Sequence, residues 1–512
     1  MKYCLPVLFV TLASFTLDSA EAADSPPRPN VLLILVDDMG YSDIGCYGSE
    51  IETPNLDRLA REGMRFTDIH NTSKCFPSRA CLITGVYAQQ CGMARGHGAI
   101  VNAVTFGEVL RSAGYTTLWS GKHHGTENPF TRGFDHYAGL RDGGCNHFNP
   151  GLPREGEPVP AQKRSFGKRT FCFDEKTVQP YTPPTGFYTT DSFTDWALPW
   201  LDEVGKGEAD KPFFLYMAYT APHDPMMAWP EDIAKYEGVY DVGYEPIRQA
   251  RYKKQVKLGL VDPKASPLSP GEFPDWDSLN PDVKREEIAR MQVYAAMVDR
   301  VDQNIGRLLA KIDQIGRLDN TLVLFASDNG ASSEVVRIGK GKIGNIDRWS
   351  SQKGAWANVS NTPLRKYKNF SYEGGIRTPL VAWWPGQVKS NAISRFPGHF
   401  IDVMPTLVEI SRAEYPEEFG GKAITPMQGE SLLPAMRGEE PQRAKPIFWQ
   451  WSKGRAVREG KWKLVSQTGN APTWELYDLE ADQTELNDLA AEDSDRVKRM
   501  IQMWQDWFAG AK

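Results

Sequence analysis

The chain has 512 residues and a formal net charge of −6, with 24% charged and 41% hydrophobic residues. That is enough apolar material for a large buried core, and length alone allows about two to four domains. The acidic balance argues against a broad nucleic-acid interface, so an anionic ligand would have to be held by local cations.

At the N-terminus, Lys2 precedes an apolar run from Cys4 to Phe15, and Ala20-Glu21-Ala22 follows as a small-x-small cleavage site. This reads as a signal peptide over residues 1–22 and predicts an exported chain, periplasmic, secreted or lumenal. No later segment reaches the roughly eighteen uninterrupted apolar residues of a membrane span, so no membrane insertion is expected after cleavage. The remaining cysteines are Cys46, Cys75, Cys81, Cys91, Cys145 and Cys172. They show no C-x-x-C metal spacing, and one or two bridges among them are conceivable without being assignable.

Val31 to Val36 is a continuous apolar run of strand length, the pattern of a strand buried on both faces of a parallel sheet. It ends in Asp37-Asp38, and two carboxylates there are costly without a cation. Thr53-Pro54 opens a helix that Gly63 closes. Next comes Cys75-Phe-Pro77-Ser78-Arg79, in which proline favours a helix start. Cys75 is thereby expected just before a helix N-terminus, where free N–H groups favour negative charge, with Arg79 about one turn on. A short helix over Phe106 to Ser112 precedes a strand from Tyr115 to Ser120, which delivers Lys122, His123 and His124. Phe213 to Ala218 is a further strand and leads into Pro222-His223-Asp224-Pro225.

Residues 140–185 and 225–280 are rich in Pro, Gly and charge and read as surface insertions that shape a pocket. Within them the basic run Arg248, Arg251, Lys253, Lys254 and Lys257 reads as a solvated face, and His147 and Lys168 carry no assignment. Apolar residues from Ile288 to Ile312 recur at three- and four-residue steps and predict a long amphipathic helix. A second buried-strand pattern, Thr321 to Ala326, ends in Asp328-Asn329. Lys368, Glu373-Gly-Gly and a strand over Pro379 to Trp384 follow, then a helix over Ile401 to Ile410. From about residue 444, short antiparallel strands and a terminal helix predict a small α+β subdomain.

Parallel strands bring their carboxyl ends to one rim, where ligands bind in open α/β sheets. That rim would carry Asp37, Asp38, Lys122, His124, His223, Asp328 and Asn329. Three carboxylates and an amide are hard oxygen ligands that suit calcium or magnesium. Zinc and two-metal phosphohydrolase sites want more histidine than the eight in this chain and an Asp-His pair where Asp328-Asn329 stands.

On these motifs, from about residue 29 onward, the chain resembles the type I sulfatases, an arylsulfatase-like branch of the alkaline phosphatase superfamily. The resemblance implies an α/β catalytic domain over residues 24–443, with a mostly parallel central sheet flanked by helices, and the α+β subdomain over 444–512. It implies one calcium ion on Asp37, Asp38, Asp328, Asn329 and the residue derived from Cys75, which a formylglycine-generating or equivalent maturation enzyme would convert to formylglycine. Arg79, Lys122, His124, His223 and Lys368 match the family's sulfate- and aldehyde-contacting cations. The implied reaction is hydrolysis of a sulfate monoester on a sulfated small molecule or glycan. One hydroxyl of the hydrated aldehyde attacks sulfur, and the other expels sulfate by collapse to the aldehyde. Two departures stand out: His123 replaces the usual Trp of Gly-Lys-Trp-His, and Tyr372 replaces a frequent Trp. The alternatives are a phosphonate or phosphate ester hydrolase using the same nucleophile, and a non-catalytic binder of sulfated glycans with Cys75 unmodified.

Overall fold

The computed structural model describes residues 27–469 and 471–511, so the signal peptide expected over 1–22 lies outside the described residues. The strands of the main sheet are β1 (Asn30–Val36), β2 (Met64–His70), β3 (Thr116–Gly121), β4 (His136–Leu140), β5 (Phe171–Phe173), β6 (Lys176–Val178), β7 (Phe213–Ala218) and β8 (Thr321–Ser327). After a separate ribbon of β9 (Arg337–Ile338) and β10 (Trp349–Ser350), the sheet resumes with β11 (Arg377–Trp383), β12 (Ala392–Ser394) and β13 (Gly398–His399). The order is β12-β2-β11-β8-β1-β7-β3-β4-β5-β6, with β13 also on β2. From β8 through β1, β7 and β3 to β4 every pairing is parallel. The strand after Glu373 runs the other way: β11 is antiparallel to both β2 and β8.

Strand β1 lies at the centre because it is apolar on both faces. Leu32, Ile34 and Val36 join one core layer, while Val31, Leu33 and Leu35 join the other, as side chains alternate across a strand. The first face is covered by the helices Thr189–Lys206 and Pro281–Gln314. The latter has 34 residues, about 50 Å, starting with Pro281 after Asn280, whose side chain accepts the Val283 N–H at 3.0 Å. The opposite face holds the helices Cys75–Thr84, Phe106–Ser112 and Val403–Ser411.

The insertions are more structured than their composition suggests. Residues 140–185 add the β5–β6 hairpin to the sheet edge, and 225–280 contain a helix over Tyr244–Lys257. The basic run on that helix is only partly a solvated face. Arg248 and Arg251 are buried, and Arg251 pairs with Asp43 at 2.6 Å and Glu50 at 2.7 Å. Those partners lie some two hundred residues upstream, beyond the reach of a local charge pattern.

Near the C-terminus a four-stranded antiparallel sheet spans Ile447–Trp451, Gly454–Glu459, Trp462–Ser466 and Glu475–Asp478, and the helix Ser494–Gly510 covers it. Its inner face bears on the main sheet. Arg458 binds both oxygens of Asp68 at 2.9 and 2.8 Å, and Lys463 sits between Glu373 and Glu485 at 2.7 Å each. Asp68, His70 and Glu373 lie close enough together to suggest a metal site. Their carboxylates, however, are already taken by Arg377, Arg458 and Lys463.

Candidate functional site

Four loops leaving the carboxyl ends of β1, β3, β7 and β8 meet at one rim, and backbone hydrogen bonds fix their starts. Asp37 N–H donates to Ala221 O at 3.2 Å and Asp328 N–H to Val36 O at 3.1 Å. Lys122 N–H donates to Ala218 O at 2.7 Å and His124 N–H to Arg141 O at 2.9 Å. Asp38 and His124 both have positive φ, 64° and 69°, which turns the chain sharply just where it leaves the sheet.

Cys75 is the first residue of its helix rather than the residue before it. Lys74, in an extended conformation, is the cap, and Pro77 falls at the third helical position. The loop in front is held by Ser78, whose hydroxyl accepts the Thr72 N–H at 2.8 Å, and by Trp449 of the C-terminal sheet, whose indole N–H donates to Asn71 O at 2.7 Å. Cys75 is buried, close enough to Lys368 and Arg79 that charge on it would raise both.

Around it the charges interlock. Lys122 pairs with Asp37, and Arg79 Nε donates to Asp328 at 2.7 Å while its Nη1 donates to Lys122 O at 3.2 Å. Lys368 reaches both oxygens of Asp38, at 2.6 and 2.8 Å, and Asn329 donates to Asp38 Oδ1 at 2.6 Å. His223 Nε2 lies 3.6 Å from Asp38 Oδ2. The structure thus unites Asp37, Asp38, Arg79, Lys122, His223, Asp328, Asn329 and Lys368 in one network, with Cys75 and His124 beside it.

Burial pushes Asp37 up, but Lys122, His223 and Arg79 hold it well below the usual carboxylate range. Asp328 moves up through burial and the neighbouring Asp37 charge. Three carboxylates crowd this dry pocket, each paired with a cationic side chain but not saturated by it. Two buried oxygens, Asp37 Oδ1 and Asn329 Oδ1, find no hydrogen-bond partner among the described residues. Orphaned hard oxygens beside clustered carboxylates are what a divalent cation would satisfy, so the residues present fit calcium. Asp37, Asp38 and His223 also offer ligand atoms within 4.8 Å of one another. Of these, His223 has its Nδ1 held by Asp224 O at 2.6 Å and the Asp224 carboxylate at 3.0 Å, and the surrounding carboxylates favour its protonated form, which offers no lone pair to a metal.

The adjacent histidines separate cleanly. His123 points into the core against Trp119, with neither ring nitrogen hydrogen-bonded among the described residues, and burial with Arg132 drops it to about 3. His124 lies on the pocket side, edge-on to Phe76, where burial and the charges of Lys122 and Arg79 hold it well below its ordinary value. Burial also lowers His223, but Asp38, Asp37 and Asp224 outweigh it and raise the ring to about 10. The two imidazoles on this rim are therefore pushed in opposite directions.

Several residues here were not singled out by sequence. Asp224 orients His223, and His147, left unassigned, accepts from Thr189 Oγ1 at 2.6 Å and donates to His223 O at 3.0 Å. Gly143 passes so close to His124 that an added Cβ would lie 2.3 Å from Nε2. Lys74, Lys163 and Glu334 form an ion cluster beside Lys368. Asp224 borders a residue already chosen; the others sit on loops without periodicity. Lys168 stays exposed, with no contact to this network.

A parallel sheet with acidic residues at its carboxyl rim and a helix-borne Cys-x-Pro-Ser-Arg beside them define a hydrolase of the alkaline phosphatase superfamily. The sulfatase profile matches residues 29–412, and a second profile, the C-terminal region of N-sulphoglucosamine sulphohydrolase, matches 366–506. The arylsulfatase of Klebsiella aerogenes is 32% identical over 82% of this chain and 94% of its own length. The N-acetylglucosamine-6-O-sulfatase of Bacteroides thetaiotaomicron is 26% identical, covering 99% and 91% respectively. Among solved structures, Ps i-CgsB in complex with k-i-k-neocarrahexaose superposes with a TM-score of 0.69 at 25% identity, covering 95% of this chain and 94% of that one. The chain belongs to the sulfatase family: it is a type I sulfatase, a sulfuric ester hydrolase. No helix among the described residues is long and apolar enough to cross a membrane.

Proposed function

We propose that the protein hydrolyses the sulfate monoester of a sulfated carbohydrate, with formylglycine derived from Cys75 as nucleophile and one calcium ion held by Asp37, Asp38, Asp328 and Asn329. The observation that carries this reading is the convergence of Asp37, Asp38, Asp328 and Asn329, two of them with unpartnered buried oxygens, on the Arg79, Lys122 and Lys368 cations beside Cys75. His124 and His223, pushed in opposite directions, suit base and acid. Formylglycine, once formed, supplies a hydrated aldehyde with one hydroxyl to attack sulfur and a second to release sulfate. Calcium, when bound, supplies Lewis acidity and counter-charge for the sulfate oxygens.

The chain's own groups do the rest. Arg79 and Lys122, pre-set by Asp328 and Asp37, stabilise charge on the transferring group without reorganising. Neutral His124 takes the proton that sulfate release frees. Charged His223, with Lys368, protonates the departing oxygen. The carbohydrate substrate is supported by the relative named an N-acetylglucosamine-6-O-sulfatase and by the structure solved with a neocarrahexaose. Export and a formylglycine-generating partner belong to the same reading.

The test is mass spectrometry of the peptide spanning Cys75 to Arg79, from protein made alongside a formylglycine-generating enzyme, together with rates on matched aryl sulfate and phosphate esters. Conversion of the thiol to an aldehyde and a preference for sulfate are expected. An unmodified thiol in a host that converts a control sulfatase would sink the nucleophile and favour a glycan-binding protein. A preference for phosphate or phosphonate esters would move the chain to the other ester class.

A further inference from the structure

At the mouth of the pocket Glu334 ties three separate parts of the chain together. Its Oε1 lies 3.4 Å from the ammonium of Lys74, the cap residue before Cys75, and 3.7 Å from that of Lys368. Its Oε2 lies 3.2 Å from Lys163, in the insertion over 140–185. The neighbours of Lys163, Gln162 and Arg164, line a cavity of about 610 Å³ together with Phe166, Ile338 and Lys340. Glu334 therefore links Lys368 of the catalytic pocket to lysines from two other loops, one of which runs on into the lining of that cavity. Its side chain is 26% exposed, so a ligand can reach it. Burial raises its carboxyl, but Lys368, His223 and Lys74 hold it ionised, at about 2.

We infer that Glu334 determines specificity by reading the substituent next to the ester on the leaving group, accepting a hydrogen bond from a neutral hydroxyl there and excluding a second anionic group. The inference rests on the proposed placement of Lys368 at the departing oxygen. The ester's own sulfate has deeper cations, Arg79 and Lys122, which Glu334 does not touch. At the mouth, Lys74 and Lys163 are the cations a second sulfate or a carboxylate would seek, and Glu334 already pairs with both and cancels one of their two charges. A second anion would have to compete with the glutamate for these lysines and remain beside it, where like charges repel. A hydroxyl has no such conflict, because an ionised carboxylate is an acceptor only.

The test uses calcium-loaded, matured enzyme and three reporter esters: 4-nitrophenyl sulfate and its analogues bearing an ortho hydroxyl or an ortho carboxylate. Wild-type kcat/KM should rank hydroxyl above unsubstituted above carboxylate. Glu334→Gln should shrink the hydroxyl-to-carboxylate ratio tenfold or more, because Lys74 and Lys163 are freed. A smaller change, or an equal loss on all three esters, overturns the inference; the equal loss would mean that Glu334 only positions Lys368. The same ratio is read as affinities by calorimetry on Cys75→Ala and Cys75→Ala/Glu334→Gln proteins. Absent turnover by wild-type enzyme, which would instead fail the proposed reaction, those affinities decide the inference.

Discussion

His223 and Asp224 are neighbours in sequence and partners in space: the imidazole Nδ1 meets the Asp224 carboxylate at 3.0 Å and its carbonyl at 2.6 Å. Ser351 donates to the far carboxylate oxygen at 2.6 Å and keeps it turned toward the ring. This leaves Nε2, on the pocket side, as the one acidic N–H free to serve a substrate. Asp37 and Asp38 also raise His223, but a bound cation would share their charge, whereas Asp224 stands apart from the proposed ligands.

Asp224→Asn is therefore expected to lower the His223 pKa, so that the ring loses its proton at lower pH. The alkaline limb of the kcat/KM profile should move to lower pH by about one unit or more, and the rate on the alkaline side of that limb should fall about tenfold or more. The loss should be largest for poor leaving groups, which need the proton most. Profiles for a good and a poor leaving group check this. An unmoved alkaline limb would remove His223 from the acid role.

A chelator should abolish activity and lower the melting temperature, and calcium should restore both. Without a cation, Asp37, Asp38 and Asp328 repel one another, and the orphaned oxygens of Asp37 and Asn329 stay unsatisfied. A ligand that binds only the folded chain adds stability that grows with its concentration. Thermal unfolding across a calcium titration reads this directly. A melting temperature independent of calcium and chelator would refute the metal assignment.

Much of this site was legible because its residues end strongly patterned strands. Val31–Val36 and Thr321–Ala326 are apolar enough to be buried, so the acids after them had to lie at a sheet rim. His123 and His124 lie just past the end of β3, where the positive φ of His124 turns its ring to the pocket side while His123 faces the core. Glu334, Lys74 and Gly143 were not legible, since each acquires its role only when a distant loop folds against it. Arg251 shows the same limit: its partners Asp43 and Glu50 turn an apparent surface charge into a buried one.

Gly143 tests how tightly His124 is placed. An alanine Cβ there would lie 2.3 Å from Nε2, too close for either atom to stay. Gly143→Ala should lower kcat by about 100-fold, the usual scale for a catalytic group displaced by about 1 Å. Calcium content should not change, because no proposed ligand touches this loop. Activity within about threefold of wild type would show that His124 is not needed where it stands.

Away from the pocket, Asp302 joins two helices. From the long helix Pro281–Gln314 it accepts the N–H groups of Leu56 at 2.8 Å and Asn55 at 3.0 Å, capping Pro54–Glu62 in place of Thr53, whose side chain does not. Burial nevertheless raises its carboxyl from 3.8 to about 6. The folded protein therefore keeps a proton that the unfolded chain releases near pH 4. The group's contribution is complete below about pH 4 and is lost as pH rises through 6, a change of about 3 kcal/mol. Asp302→Asn retains an acceptor and cannot ionise, so its stability relative to wild type should climb between pH 4 and pH 7 by up to that amount. Urea unfolding of both proteins at the two pH values, with calcium present throughout, measures the difference. Parallel pH dependence in the two proteins would mean that the cap is ionised at no cost, and that the hydrogen bonds of Asn55 and Leu56 outweigh its burial.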